Sequence, residues 1–286
     1  MDKKMAFNSE VATFGVAGNF TGHLEQANEA SDFANVKTAE TNVPKAIFPT
    51  HIPVKEPKVT PEFLKIFPFT SDKVIEYPEG QDKVQIEPEC AVLFDAVWDG
   101  DTLEDLIPLG FGASNDCSIR RQGAKKISLK KNWGKKSKGF SSHITPIDSF
   151  STRGNINDYR IASFLLRDGK AYAYGEDSAI RDYSYIYTKL ITWMLLKFNY
   201  QLNEGPAENI HEYLIEAGKP ERIMVSIGAT RYTEFGEKNF LHKGDHAVVV
   251  LYPESKYTFE HITDMLERNM LDRDDISVLD QEIVEG

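Results

Sequence analysis

Three carboxylates are the residues of this chain most able to do chemistry together. Glu87 and Glu89 lie two apart in QIEPECAVLFDAVW, and Asp116 follows 27 residues after Glu89 in GFGASNDCSIRRQ. On an extended strand, residues two apart share a face. Glu87 and Glu89 are therefore expected to project together, while Ile86, Cys90, Val92 and Phe94, of the opposite parity, turn to a core. Two adjacent carboxylates repel each other unless a cation or a proton lies between them. A third carboxylate, arriving from the Asn115-Asp116 turn, would complete a hard oxygen set of the kind Mg2+ or Mn2+ prefers. Without a cation, the same acids would form an exposed strand face followed by an Asx turn. Pro88 has no N–H to give to a ladder, which places this spot at an edge or a bulge.

The elements that must position these acids are mostly strands. From about Val74 the chain reads VIEY, VQIEPECAVLFDAV, LGFGAS, IASFLLRDGKAYAYG, ERIMVSIGAT and HAVVVLYP, all strand-like. Helices are fewer. Tyr187, Ile191, Met194, Leu195 and Phe198 recur at helical spacing from about Ser184. Ile210, Tyr213, Leu214 and Ala217 predict a short helix closed by Gly218, and Ile262, Met265 and Leu266 another from about Thr258. Residues 1–65 hold few periodic segments and several Gly, Asn and Pro, and read as an irregular arm or lid. Residues 66–257 read as the core of the protein, and 258–286 as a C-terminal helix and an acidic tail. That tail carries Asp272, Asp274, Asp275, Asp280, Glu282 and Glu285 against Arg273, and reads as a solvated end. The expected class is α+β, predominantly β.

Composition narrows the function. Net charge is -11, which argues against a general binder of nucleic acid or acidic membranes. One stretch opposes that balance: Arg120 to Lys138 holds nine Lys or Arg and no acid. It reads as a funnel for an anionic substrate, as a polyanion or RNA patch with Trp133 to stack on a base, or as a solvated loop of lysines. The segment MDKKMAFNSEVATFG has no apolar run of signal-peptide length, and the longest apolar run, Leu190 to Leu196, is too short for a bilayer. A cytoplasmic protein without membrane contact is expected. Cys90 and Cys117 are too few for a disulfide scaffold and lack metal-binding spacing.

Five signals in order then resemble the fumarylacetoacetate hydrolase superfamily. They are AGNFTGHLEQA with His23; Glu87-Pro-Glu89; Asn115-Asp116 followed by Arg120; Lys138-Gly139-Phe140-Ser141 before Pro146; and SIGATRYTEFGEKNFLHKGD. The resemblance spans nearly the whole chain. It implies a mixed β-sandwich roll with a few peripheral helices, usually a homodimer. It also implies Mg2+, Mn2+ or Ca2+ held by Glu87, Glu89 and Asp116. The implied activity is cleavage of a C–C bond, decarboxylation or isomerisation of a small dicarbonyl or 2-oxo acid through a metal-bound enolate.

Within that resemblance His23, aided by Glu25, is the candidate base, since an imidazole can take a proton from water near neutrality. Lys138 would stabilise developing negative charge. Arg120 would grip a substrate carboxylate, with Asn19 and Thr230 at the substrate-binding turns. The departures are specific. Phe20 stands for Tyr, Gln26 for the Glu after His23, Ser141 for Asp, and Arg121 for the Asp after Arg120. The Thr-Gly-Thr-Pro turn survives only as Ile227-Gly228-Ala229-Thr230. An intact metal site with altered surroundings implies a divergent subfamily with another substrate, or a protein of the same fold that binds a metal and a small acid without turnover.

Overall fold

The computed structural model describes residues 6–26, 43–69, 74–120 and 125–286. Its strands are β1 (Ala12–Ala17), β2 (Ala46–His51), β3 (Val74–Tyr77), β4 (Val84–Gln85), β5 (Pro88–Asp99), β6 (Thr102–Asn115), β7 (Ser118–Ile119), β8 (Gly139–Phe140), β9 (Thr145–Pro146), β10 (Tyr159–Arg167), β11 (Lys170–Ala179), β12 (Arg222–Ala229), β13 (His246–Pro253) and β14 (Ser277–Glu285). Its helices are α1 (His23–Gln26), α2 (Ile127–Lys131), α3 (Tyr187–Tyr200), α4 (Ile210–Glu216), α5 (Glu234–Lys238) and α6 (Phe259–Glu267).

Period-two alternation explains how the layers form. In β13, Ala247, Val249 and Leu251 turn into the main core, while Val248, Val250 and Tyr252 turn the other way and are covered by Ile262 and Leu266 of α6. In β5, Cys90, Val92 and Phe94 enter the main core, while Ala91 and Leu93 face a second cluster with Met224 and Phe140. The expected parity of this strand therefore holds. The main core draws side chains from a seven-stranded sheet, β2-β1-β12-β5-β6-β8 with β9 on β6, and from a five-stranded sheet, β11-β10-β13-β14-β3. Leu190, Trp193, Met194 and Phe198 of α3 join it. The result is the expected α+β, predominantly β sandwich.

Two segments depart from the sequence reading. Within the expected irregular arm, β1 pairs in parallel with β12 and β2 pairs with β1, so residues 12–17 and 46–51 lie inside the large sheet. ATFGVA and AIFPTH are buried throughout. A strand hidden on both faces carries no alternation to betray it. The acidic tail is likewise not a solvated end, because β14 lies between β13 and β3. Leu279, Gln281 and Ile283 are buried, while the acids Asp280 and Glu282 point outward along the same strand.

No helix among the described residues is long and apolar enough to cross a membrane.

Candidate metal centre

The β5–β6 hairpin brings the acids together. Its register pairs Pro88 with Asn115 and Glu89 with Ser114, so Asp116 falls opposite Glu87 at the open end. Two hydrogen bonds lock that end: the Asp116 N–H donates to the Glu87 carbonyl (3.1 Å), and the Glu87 N–H donates to the Asn115 side-chain Oδ1 (3.1 Å). Pro88 is the first residue of its strand, where a missing donor costs no ladder bond. Oxygens of Glu87, Glu89 and Asp116 converge within 4.8 Å of one another, and all three residues are buried.

The neighbouring strand β12 supplies the third anchor. Its ladder with β5 is interrupted between Ser226 and Ala229. There Gly228 takes a φ of 122°, which only glycine adopts readily, and its N–H donates to Glu89 Oε2 (2.8 Å) instead of to a strand.

The electrostatics of the three acids diverge. Burial pushes Glu87 upward, but Lys131, Arg120 and His23 together outweigh it and hold the carboxyl below its usual range. Glu89 goes the other way. Burial, then Asp116, then Glu87 hold it well above the usual carboxylate range, and Lys131 and the Gly228 N–H only partly offset them. One carboxylate is thus stabilised and its neighbour is short of positive charge.

Three cations press on the cluster. Lys131, buried at the end of α2, pairs with Glu87 and lies 3.0 Å from Asp116 Oδ2. Lys138 pairs with Asp116. Arg120 lies 2.7 Å from Glu87 Oε1 and also donates to Gln85 Oε1 (2.7 Å) and the Tyr232 hydroxyl (2.6 Å). Glu87 Oε1 and Asp116 Oδ2 have cations beside them but no well-directed hydrogen bond, so each keeps a lone pair to spare. Hard, buried, mutually repelling oxygens with spare lone pairs fit a divalent cation.

The remaining expected residues fall in different places. His23 is buried, faces the Tyr232 ring at 5.3 Å, and lines a cavity of about 20 Å3 with Glu87, Glu89, Lys131 and Phe48. Glu25 lies in α1, but its side chain is outside the described residues. Asn19 spends its amide on backbone: it donates to the carbonyls of Tyr185 (2.9 Å) and Ile227 (2.8 Å) and accepts from the Tyr185 N–H (2.8 Å). Thr230 is buried, and its N–H donates to the Pro88 carbonyl (3.1 Å).

Two of the substituted positions, Gln26 and Ser141, are also bonded to backbone. Gln26 clamps both the N–H and the carbonyl of Tyr232. Ser141 Oγ donates to the Val278 carbonyl (2.7 Å).

The basic stretch is turned largely inward. Lys130, Lys131 and Lys138 are buried, Lys136 pairs with Glu76, and Lys126 binds Asn203 and the carbonyls of Gly205 and Ala207. Trp133 donates to the Glu76 carbonyl. Residues 121–124 are outside the described set.

Sequence reasoning missed Lys131, Tyr232 and Gln281. Lys131 follows the buried Ile127 by four residues and so shares its helix face, a signal hidden by the surrounding charges. Gln281 accepts from Asn115 Nδ2 (3.1 Å) and donates to the Lys138 carbonyl (3.2 Å), and nothing in the tail's composition marks it.

Residues 29–283 match a family of unknown function. The chain belongs to DUF5718. Solved structures give this DUF5718 chain the fold of the fumarylacetoacetate hydrolases. A protein assigned as HpcE from Mycobacterium smegmatis superposes with a TM-score of 0.53 at 14% identity, covering 96% of this chain and 75% of the other. A protein assigned to the fumarylacetoacetate hydrolase family from Yersinia pestis CO92 gives 0.51 at 12%, covering 97% and 95%. A 2-keto-3-deoxyarabinonate dehydratase gives 0.51 at 13%, covering 96% and 73%. No curated protein matches the sequence.

Proposed function

We propose that this DUF5718 chain is a divalent-metal enzyme of the hydrolase, decarboxylase or isomerase kind, acting on a small dicarbonyl or 2-oxo acid. The observation that carries this reading is the convergence of Glu87, Glu89 and Asp116, buried and within 4.8 Å, at the open end of the β5–β6 hairpin. Mg2+, Mn2+ or Ca2+ held by these three would supply a Lewis acid that polarises a carbonyl oxygen.

The chain's own residues do the rest. His23 borders the cavity beside Glu87, where its imidazole can accept a proton from water or substrate carbon. Lys138 keeps fixed positive charge at Asp116, where it offsets negative charge growing on the substrate. Arg120 holds Glu87 and Tyr232, and so orients the acids more than it awaits a ligand. Asn19 and the Gln26 clamp fix the His23 turn against Tyr185, Ile227 and Tyr232.

The test is calorimetry on metal-stripped protein with Mg2+ and Mn2+, followed by a panel of 2-oxo acids and 1,3-dicarbonyls. Binding and turnover that both vanish in Asp116→Ala are expected. Turnover that survives Asp116→Ala would sink the mechanism.

A second reading keeps the site without turnover: a protein of this fold that binds a metal and a small organic acid. What favours it is that Gln26 and Ser141, standing where acids are expected, are both bonded to backbone. Tight oxalate binding with no turnover across the panel would select it.

A further inference from the structure

We propose that Lys131 makes this site take its metal and a dianionic chelator together, neither of them binding well alone. The inference rests on the metal reading given above and deepens it. Even with all three carboxylates ionised, the cluster is already balanced: Glu87, Glu89 and Asp116 face Lys131, Lys138 and Arg120. A divalent cation added to that set leaves two uncompensated positive charges in a buried place, which is costly in a medium of low dielectric. A ligand carrying two negative charges restores neutrality. A 2-oxo acid drawn toward its enolate has that charge, and oxalate imitates it. A monocarboxylate does not.

Space leads to the same conclusion. Lys131 reaches both Glu87 and Asp116, so its ammonium lies against two of the three expected metal ligands. The cavity beside it, about 20 Å3, holds little more than one water or one bare ion. An organic acid enters only if a side chain yields. Lys131 is the cation best able to do so. Its four-carbon arm ends in a single rotatable ammonium, whereas Arg120 is fixed by Gln85, Glu87 and Tyr232.

The helix that carries Lys131 is itself held: the Ile127 N–H donates to the Pro206 carbonyl, and Lys126 ties α2 to residues 203–207. The ammonium therefore moves without the backbone. Once displaced, it is left beside the incoming ligand and becomes the partner of its carboxylate.

The experiment titrates full-length, metal-stripped wild type and Lys131→Met with Mn2+ alone, with Mn2+ in saturating oxalate, and with Mn2+ in saturating acetate. Circular dichroism first checks that the variant is folded. In the wild type, oxalate is expected to tighten Mn2+ about 50-fold or more and acetate to change it little, and Mn2+ must tighten oxalate by the same factor. In Lys131→Met, Mn2+ alone is expected to bind about tenfold tighter than in the wild type, with the oxalate effect reduced below about tenfold.

Wild type that binds Mn2+ equally with and without oxalate, or as tightly in acetate as in oxalate, overturns the coupling and leaves the metal site standing. That arm needs no variant. A folded Lys131→Met that matches the wild type in all three titrations also overturns the role of Lys131. Absence of Mn2+ binding in every condition overturns the metal reading itself.

Discussion

Two clusters of charge in this molecule are made from the same residue types and behave differently. At the open end of β5–β6, three carboxylates meet Lys131, Lys138 and Arg120, and every side chain but Arg120 is nearly inaccessible. On the other sheet, Arg160 and Arg181 bridge Asp177 and Glu254, with side-chain exposures between 18% and 39%. In the second cluster, cations separate the acids. Hydrogen bonds from Arg181 lead the influences that hold Glu254 below its usual range. In the first, the acids lie within 4.8 Å of one another, and burial, then Asp116 and Glu87, force Glu89 upward. Burial together with like-charge contact, and not the count of charges, marks the place where a cation is wanted.

The largest effects should come from changing one acid at a time in the buried cluster. Glu89→Gln removes the carboxylate that has least positive support while keeping an oxygen for the Gly228 N–H. Its affinity for Mn2+ should fall at least about 100-fold, yet its metal-free melting temperature should hold or rise, because Asp116 and Glu87 no longer face a third like charge. Asp116→Asn should lose the metal equally but also lose about 3 kcal/mol of stability, since Lys131 and Lys138 both lose a partner. Calorimetry and thermal melts on the two variants check the contrast. Equal stability losses in both would erase the distinction between the acids.

A buried carboxylate outside both clusters sharpens the comparison. Glu208 is 3% exposed, and burial pushes it up to about 7, with Ser128, Lys126 and Tyr213 offsetting that only in part. Below about pH 4.5 the folded and unfolded chains both keep this proton. Between about 4.5 and 7 the unfolded chain ionises first, so stability falls as pH rises, and above 7 the deficit is constant. Glu208→Gln should therefore match the wild type at pH 4 and exceed it by up to about 3 kcal/mol at pH 8, measured by urea denaturation. A pH-independent difference would mean that folding does not raise the pKa of this carboxyl.

How much of this is legible depends on what a strand's own residues advertise. β13 is buried on both faces too, but its Val248-Val249-Val250-Leu251 run marks it, and the β10–β11 hairpin is marked by its turn at Asp168-Gly169. α6 announces itself by its Thr258 cap, whose side chain accepts from the His261 N–H. β1 and β2 are buried on both faces and read as arm. The convergence of Glu87, Glu89 and Asp116 is legible because period two puts both Glu on one face and the β5–β6 hairpin returns Asp116 opposite Glu87. Lys131 is not legible, because α2 is only five residues long and its buried lysines look like the exposed Lys125 and Lys135 on either side. Gln281 could not be found from the chain alone, since its role follows from β14 crossing behind Asn115 and Lys138.

Gln281 gives the next effect in size. Gly139 packs so closely against it that a Cβ there would lie 2.5 Å from the Gln281 amide. Gln281→Ala leaves the Asn115 amide and the Lys138 carbonyl without this partner, at a cost of about 1–2 kcal/mol. Because Asn115 in turn holds the Glu87 N–H, Mn2+ affinity should also fall about tenfold. A variant that lost stability but bound Mn2+ as before would make Gln281 a packing residue only.

The exposed cluster supplies the smallest effect and the control. Arg181 lies 2.6 Å from Glu254 Oε1, but its side chain is 39% exposed and that of Glu254 is 30% exposed. Water screens such a pair, and ordering two long side chains offsets much of the attraction. Arg160 remains to hold Glu254 when Arg181 is gone. Arg181→Ala should therefore cost about 0.5 kcal/mol at low ionic strength, a difference that shrinks at 0.5 M salt. Mn2+ affinity should not move. A loss as large as that of Asp116→Asn would show that exposure does not separate the two clusters, and the distinction would then have to lie in the acid–acid contact alone.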